Sequence, residues 1–293
     1  MGDNSKNNFG VDQPDEVGYA SITNTSGKKF NRRKFVQSSI AGLAALSGLA
    51  SSQISFATEA ASNSSTSATS RKRPKAIAFD VIETLFDLRA LRPAFVEAGL
   101  PAYSLELFFS QMLRDGFALE SSHELLPFGE LAVNTLKVTS ANVGAPLTTE
   151  QAKDILANVA ALPPHPDVVA AVKYFKASGI RLITLTNSSS GNTDKLLTKA
   201  GIRDQIDYLW PASDSGHWKP APEPYHYAAK KLGLNIDEVA LIAAHPWDIH
   251  GAVSAGMTGV YIKRQESLYQ PSFKQPHFQG EDMLALAKVL MSL

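Results

Sequence analysis

The chain has 293 residues, which is enough for one large hydrophobic core or two smaller domains. Its 44% apolar and 19% charged residues are ordinary for a soluble globular protein, and its 28 basic and 28 acidic side chains balance, so no nucleic-acid partner is expected. The absence of cysteine excludes disulfides, a thiolate metal site and a thiol nucleophile.

Residues 1–60 have the pattern of an export signal. A polar start is followed by Arg32 and Arg33 before Phe35, by a short apolar stretch over 40–50, and by small residues that a signal peptidase could accept. The paired arginines resemble a twin-arginine signal, and the apolar stretch is short for a membrane span. We therefore expect a periplasmic protein without a stable membrane anchor after cleavage; an uncleaved anchor or a disordered arm is the alternative. Residues 61–73 are predicted to be a linker.

Strand-like and helix-like segments alternate in the rest of the chain. Short apolar runs with β-character predict strands at 75–81, 181–187, 206–210, 239–244 and 259–263. Helical spacing of apolar residues predicts helices at 167–178, 192–200, 222–232 and 247–255. This alternation predicts an α/β fold whose core, residues 74–87 and 167–293, is a Rossmann-like parallel sheet with helices on both faces.

The interval between the first and second predicted strands is unusually long and helical in character. Helices are expected at 104–120, 129–140 and 148–162. In open parallel sheets, ligands bind at the carboxyl ends of the strands. Residues 88–166 are therefore predicted to be a helical cap, inserted after the first strand and placed over those ends.

Polar side chains follow four of the predicted strands. They are Asp80 and Thr84 after the first strand, Thr186 and Asn187 after the second, Lys219 after the third and Asp248 after the fourth. Each is weak evidence by itself, because a strand-end Asp often caps a helix and a Lys before Pro is usually solvated. Because the strand ends meet at one edge of the sheet, the set predicts one crevice containing two carboxylates, a hydroxyl and a lysine.

This ordered set resembles the four motifs of the haloacid dehalogenase superfamily, and the resemblance extends from Lys75 to the C-terminus. Within the superfamily the pattern is most similar to the L-2-haloacid dehalogenases. Their first motif, Asp-x-Tyr-Gly-Thr-Leu-Phe-Asp, corresponds here to DVIETLFD from Asp80, and their last, Ser-Ser-Asn-Ala-Trp-Asp, to AAHPWD ending at Asp248. Their remaining motifs, Ser-Asn-Gly and a Lys-Pro followed by a Tyr, correspond to Thr186–Ser188, to Lys219 and Pro220, and to Tyr225.

Two positions distinguish the branches of the superfamily. Its phosphatases carry a general acid two residues after the nucleophile, where this chain has Ile82, which cannot donate a proton. They also tend to carry another acidic residue before the last Asp to hold magnesium, and here Ala243 and Ala244 offer no oxygen ligand. Carbon–halogen cleavage needs neither a general acid nor a metal. The resemblance therefore implies a dehalogenase without a metal or cofactor.

The resemblance also implies a role for each motif residue in converting a small (S)-2-haloacid into a 2-hydroxy acid. Asp80 would attack C2 and form an ester, and Lys219 would hold Asp80 ionised. Thr84 would steady the Asp80 carboxylate, while Asp248 would help to position or activate the water that cleaves the ester.

Substrate binding is assigned in the same way. Backbone amides near Thr186 and Asn187, with the Thr186 hydroxyl, would receive the substrate carboxylate. Tyr225 would line the pocket, and Ile82 is placed among the substrate-binding residues. The family is often dimeric, so a homodimer is possible.

Several positions depart from the family pattern. Phe109 occupies the place of the arginine that clamps the leaving halide; Arg114, five residues later, either substitutes for it or is a surface arginine. His245 replaces an Asn, and it is either a base for ester hydrolysis near neutral pH or a structural histidine. Trp247 either packs beneath the cap or stacks on substrate. A phosphatase of the same fold and an exported protein that binds a small carboxylate remain the alternative functions.

Overall fold

The computed structural model describes residues 71–266 and 268–293. The predicted export signal and residues 61–70 of the predicted linker lie outside the described residues. Among the described residues, no helix is both long and apolar enough to span a membrane.

The centre of the fold is a parallel sheet of six strands, in the order β3-β2-β1-β4-β5-β6. The strands are β1 Ala76–Phe79, β2 Arg181–Thr186, β3 Tyr208–Pro211, β4 Val239–Ala243, β5 Thr258–Ile262 and β6 Phe278–Gly280. The predicted α/β fold is confirmed, and each of the five predicted strands is present. The sixth strand was not predicted, because β6 is a three-residue, partly exposed edge strand without an apolar run.

Five helices, α5 to α9, pack on the two faces of the sheet. In chain order after β1 the helices are α1 Arg92–Glu97, α2 Ser104–Ser122, α3 Phe128–Asn142, α4 Thr149–Ala157, α5 Val168–Ala177, α6 Ser190–Lys199, α7 Pro222–Leu232, α8 Pro246–Ala255 and α9 Met283–Met291. Along β1 the side chains alternate between two cores, since Ile77 and Phe79 pack on the side of α5 and α9, whereas Ala76 and Ala78 pack on the side of α7 and α8. Burial on both faces explains why the central strands are continuous apolar runs.

The long insert between β1 and β2 is helical, as the sequence predicted. It comprises α1 to α4, with α2 packed on α3 and α3 on α4. Helix α2 also lies close to the core: a Cβ atom placed on Gly116 would be 3.5 Å from the ring of Trp218, next to Lys219. The insert therefore meets the sheet beside the carboxyl ends of the strands.

Candidate active site

The carboxylate of Asp80 lies where β1 ends, and groups from distant parts of the chain hold it in place. Its Oδ1 accepts a hydrogen bond from Lys219 Nζ at 3.0 Å, and its Oδ2 accepts one from the Thr84 hydroxyl at 2.7 Å. Thr84 Oγ1 itself accepts the N–H of Ala244 at 2.9 Å, which leaves the hydroxyl proton for Asp80. Burial disfavours ionisation of Asp80, but Lys219, His245 and Thr84 together hold its pKa below the usual value. Asp80 is therefore an ionised carboxylate at neutral pH.

Lys219 is a fully buried cation between two carboxylates. Its Nζ is 3.0 Å from Asp80 and 2.5 Å from Asp248 Oδ2, and Tyr225 donates to Asp248 Oδ1 at 2.7 Å. Burial lowers the pKa of Lys219, but the charges of Asp248 and Asp80 outweigh this effect and raise it. The ammonium thus bridges the two carboxylates.

His245 completes the contacts of Asp80 and connects it with a second carboxylate. Its Nδ1 is 3.2 Å from Asp80 Oδ2, and its Nε2 is 2.8 Å from Glu83 Oε2. Burial lowers the pKa of His245, but hydrogen bonds to Asp80 and Glu83 and their charges raise it to about 10. While Asp80 is ionised, His245 is therefore a cation. The predicted base role requires a state in which Asp80 has lost its charge.

A cavity of about 750 Å³ extends from Asp80 into the helical insert. Among the described residues that line it, Asp80 is the one acidic and His245 the one basic side chain. The predicted residues Ile82, Phe109, Thr186 and Asn187 also line it. Most of the remaining wall is apolar, including Leu91, Phe108, Met112, Leu113, Phe128 and Val159. The ionised carboxylate thus faces a large and mainly apolar space.

A family model described as haloacid dehalogenase-like hydrolase matches residues 74–256. The chain belongs to this hydrolase family. It is 24% identical over 218 residues to an (S)-2-haloacid dehalogenase of Pseudomonas sp. (strain YL), covering 73% of this chain and 94% of the relative. It is 22% identical over 222 residues to haloacetate dehalogenase H-2 of Moraxella sp. (strain B), covering 75% and 99%.

Solved structures agree on the fold of this hydrolase. The L-2-haloacid dehalogenase from Xanthobacter autotrophicus superposes with a TM-score of 0.69 at 19% identity, covering 75% of this chain and 99% of that one. The L-2-haloacid dehalogenase RSc1362 superposes with a TM-score of 0.71 at 20% identity, with the same coverage. At these identities the likeness establishes the fold, and the chemistry has to be argued from the site.

Three of the predicted site residues of this hydrolase, Tyr225, Asp248 and Arg114, do not line the cavity. Tyr225 does not line the cavity, because it is fully buried and its hydroxyl is bound to Asp248. Asp248 is also fully buried, and its oxygens are bound to Lys219 and Tyr225, so its influence on the cavity passes through Lys219. Arg114 is exposed and donates a hydrogen bond to Asp115. Leu113 is the last residue of α2 that lines the cavity, and one further residue turns Arg114 about 100° around the helix axis, away from the cavity. Arg114 therefore does not replace the halide clamp.

Two contacts in this family member were missed from the sequence. Asn187 uses its side-chain amide to hold the backbone of Lys219, accepting its N–H at 2.9 Å and donating to its C=O at 3.1 Å. Glu83, the partner of His245, occupies the position of the Gly in the family motif that the first segment resembles. The glutamate in place of this glycine was the sequence feature that could have pointed to the contact with His245. Trp247, for which two roles were open, lines the cavity and stacks on His245 with ring centroids 5.2 Å apart.

A group that could hold a metal ion lies outside the cavity of this hydrolase. Potential ligand atoms of Glu120, His123 and His217 lie within 4.8 Å of one another. His217 already hydrogen-bonds Glu120 at 2.7 Å, and the second oxygen of Glu120 accepts the N–H of Trp218. These hydrogen bonds connect the end of α2 with the segment that carries Lys219, which explains why the three side chains lie together without a metal-binding role.

Proposed function

We propose that this hydrolase cleaves the carbon–halogen bond of an (S)-2-haloacid through an ester formed on Asp80. The observation that carries the proposal is an ionised carboxylate, held by Lys219 and Thr84, at the base of an apolar cavity. Apolar surroundings remove water from a carboxylate nucleophile. Ile82 stands where a phosphatase would need an acid, and the names of the relatives support dehalogenation.

In the first step, an oxygen of Asp80 bonds to C2 of the substrate while the carbon–halogen bond breaks. The halide takes the bonding electron pair and leaves as an anion, so no general acid is required. His245 is the basic side chain in the described cavity wall, and both of its ring nitrogens are bound to carboxylates, those of Asp80 and Glu83. Phe109, at the place of the family's halide-clamping arginine, packs against His245 at a centroid distance of 5.8 Å.

The substrate carboxylate binds at the start of α6. Thr186, Asn187, Ser188 and Ser189 line the cavity there, and a helix N-terminus presents free backbone N–H groups to an anion. The Thr186 hydroxyl oxygen accepts the N–H of Ser188 at 3.1 Å, so its proton remains available to the substrate carboxylate. This arrangement points C2 of the substrate towards Asp80.

The size of the cavity indicates a substrate larger than a haloacetate. A volume of about 750 Å³ is within the range of roughly 300 to 1,000 Å³ typical of drug-sized ligands, and most of the wall is apolar. We therefore propose a 2-haloacid with a bulky apolar substituent as the preferred substrate.

The test is halide release by the purified protein from a panel of 2-haloacids of both configurations, with and without EDTA. We expect release from the (S)-enantiomers that EDTA does not reduce, that increases with the length of the apolar chain, and that is lost in Asp80→Asn. Absence of release from every haloacid, or equal release by Asp80→Asn, would contradict the proposal. Release of phosphate from phosphate monoesters only with Mg²⁺ would instead identify a phosphatase.

We also propose that residues 1–60 direct export to the periplasm. This proposal is supported by the arginine pair and the short apolar stretch in the sequence.

A further inference from the structure

We propose that Glu83 and His245 form an acid–base dyad that hydrolyses the ester on Asp80, with His245 Nδ1 taking the proton of the attacking water. The inference rests on the proposed ester and assigns the second half of the reaction. It also makes Glu83 a positioning residue, since Glu83 acts on the substrate through His245.

The imidazole ring is held so that each nitrogen faces one carboxylate. Nδ1 is 3.2 Å from Asp80 Oδ2 and Nε2 is 2.8 Å from Glu83 Oε2. Trp247 stacks on the ring at an interplanar angle of 20°, and Phe109 packs nearby at 33°. With Nε2 fixed by Glu83, Nδ1 stays directed at the carboxyl group that becomes the ester. A carboxylate that orients a histidine in this way also stabilises the imidazolium that forms when the histidine accepts a proton.

The backbone of Glu83 adopts a conformation that a glutamate rarely takes. Its φ is 62°, in the left-handed region that favours glycine. The surrounding structure fixes it there, because its N–H donates to the Phe86 carbonyl at 2.8 Å and its C=O accepts from His165 Nε2 at 2.9 Å. A glycine would be relaxed at this position, and the corresponding motif position in the resembled family is a glycine. Strain retained at a site is evidence that the side chain is used.

The charges around His245 change when the ester forms. The charged groups around the ring are Asp80 and Glu83 in contact with it, and Lys219, Arg264 and Glu266 further away. Asp80 and Glu83 together keep the ring protonated in the free enzyme. Esterification removes the charge of Asp80, so one of the two contacting anions is lost while burial continues to favour the neutral ring. The histidine thus becomes a base only after the ester has formed.

His245 lies between two cavities. A second cavity, of about 190 Å³, is lined by Glu83, Gln265 and Glu266, and His245 lines both cavities. In the ester state Nδ1 of the imidazolium loses its proton to water in the cavity that extends from Asp80. Nε2 keeps its proton and its hydrogen bond to Glu83, so Nδ1 is the nitrogen that can accept the proton of the attacking water.

Every atom and proton of the ester hydrolysis is then accounted for. The water oxygen bonds to Cγ of Asp80 while one water proton moves to His245 Nδ1. The bond between Cγ and the substrate oxygen breaks, and that oxygen takes the second water proton to become the hydroxyl of the 2-hydroxy acid. Asp80 is again a carboxylate and His245 again an imidazolium. Each turnover consumes one water and yields one halide, one hydroxy acid and one proton.

The test follows bromide and the ester separately in single-turnover experiments with 2-bromohexanoate. In Glu83→Gln and His245→Ala we expect a burst of bromide close to one per site, an ester adduct on Asp80 visible by intact-protein mass, and ester hydrolysis slowed roughly 10²-fold or more. The double variant is expected to be no slower than His245→Ala, because paired groups that act as a unit are not additive. Added imidazole should accelerate hydrolysis in His245→Ala, which a purely structural role would not produce. Glu97→Gln, which removes the charge of an exposed glutamate of α1 that lines neither cavity, is the control and should hydrolyse the ester at the wild-type rate.

Two failures can be told apart in this experiment. No bromide burst from the wild-type protein would contradict the proposed function itself. A bromide burst from the wild-type protein would leave the dehalogenase proposal in place. The dyad would be overturned if the variants then hydrolysed the ester at the wild-type rate. It would also be overturned if they lost the burst and the hydrolysis equally and imidazole restored neither.

Discussion

Lys219 is the residue on which the ionisation of the site depends. It is fully buried and contacts both Asp80 and Asp248, so removing its charge leaves two buried carboxylates close together without the cation that bridges them. Breaking a buried ion pair by removing one partner is far more damaging than never having formed it, because the remaining charge is neither solvated nor paired.

We therefore expect Lys219→Met to reduce halide release at least roughly 10³-fold and to lower the free energy of unfolding by about 3 to 5 kcal/mol. Lys219→Met combined with Asp248→Asn removes one of the stranded carboxylates and should recover part of the stability without recovering activity. Urea unfolding and halide release measure the two effects. An unchanged free energy of unfolding in Lys219→Met would contradict a stabilising contribution of Lys219 to the ion cluster.

His245 makes the stability of the fold depend on pH. Its pKa is raised from 6.5 to about 10 in the folded protein, so the folded state holds this proton more tightly than the unfolded state does. The resulting stabilisation is fully present below pH 6.5 and is lost progressively as the pH rises towards about 10.

Urea unfolding across this pH window should show a decline that is smaller in His245→Asn, which cannot gain the proton. Equal declines in the two proteins would contradict the assignment of a protonated His245 to the free enzyme.

Some residues of the site could be predicted from the sequence and others could not. Asp80, Thr84, Lys219 and Asp248 could be predicted because each follows a strand of a parallel sheet, and such strand ends meet. The pairing of Glu83 with His245 could not be predicted by that rule, because it depends on a positive φ and on a partner 162 positions away. The sequence leaves open whether Arg114 replaces the halide-clamping arginine or lies on the surface, because spacing in the sequence does not determine which face of a helix a residue occupies.

At the scale of elements, the helical insert determines what the cavity accepts. Helix α3 carries Ala132 on the cavity side and Val138 on the solvent side, where Val138 is 53% exposed. A large side chain at position 132 fills space that the substrate chain would otherwise occupy.

We expect Ala132→Phe to lower kcat/KM for 2-bromohexanoate relative to 2-bromopropionate by roughly 10-fold or more, the scale on which apolar pockets discriminate between chain lengths. Val138→Phe adds the same side chain to the same helix outside the cavity and should leave the ratio unchanged. An unaltered ratio in Ala132→Phe would contradict the proposed position of the substrate chain.

One strand and two α-helices were missed, and two of these three elements, β6 and α1, are short. Strand β6 is short and lies at the edge of the sheet, so its position is set by pairing with β5 and by no periodicity of its own. Helix α1 has only six residues, fewer than two full turns, which is too short to show a repeating apolar face. The other helices and the buried strands were predictable because burial imposes a pattern on them. Helix α9 has buried residues at helical spacing, Met283, Leu286, Ala287 and Leu290, and was nevertheless not predicted.

At the scale of the whole molecule, the parallel sheet brings together residues far apart in the chain. Lys219 and Asp80 are 139 positions apart in sequence and 3.0 Å apart in space. The predicted signal at residues 1–60 concerns where this folded unit is delivered, since twin-arginine signals carry proteins that have already folded.

We expect Arg32→Lys combined with Arg33→Lys to retain the full-length precursor inside a bacterial cell, whereas the unaltered chain appears shortened in the periplasmic fraction. Lys28→Gln, a basic residue outside the arginine pair, is the control and should be exported. Periplasmic, shortened protein from the double lysine variant would contradict the twin-arginine proposal.

The most direct test of the central claim follows oxygen through a single turnover in H₂¹⁸O with enzyme in excess over 2-bromohexanoate. If Asp80 is the nucleophile, the first 2-hydroxyhexanoate carries ordinary oxygen in its new hydroxyl, and the peptide containing Asp80 gains one ¹⁸O. If ¹⁸O appears in the hydroxyl of that first product and Asp80 remains unlabelled, water has attacked C2 directly and the ester mechanism is wrong.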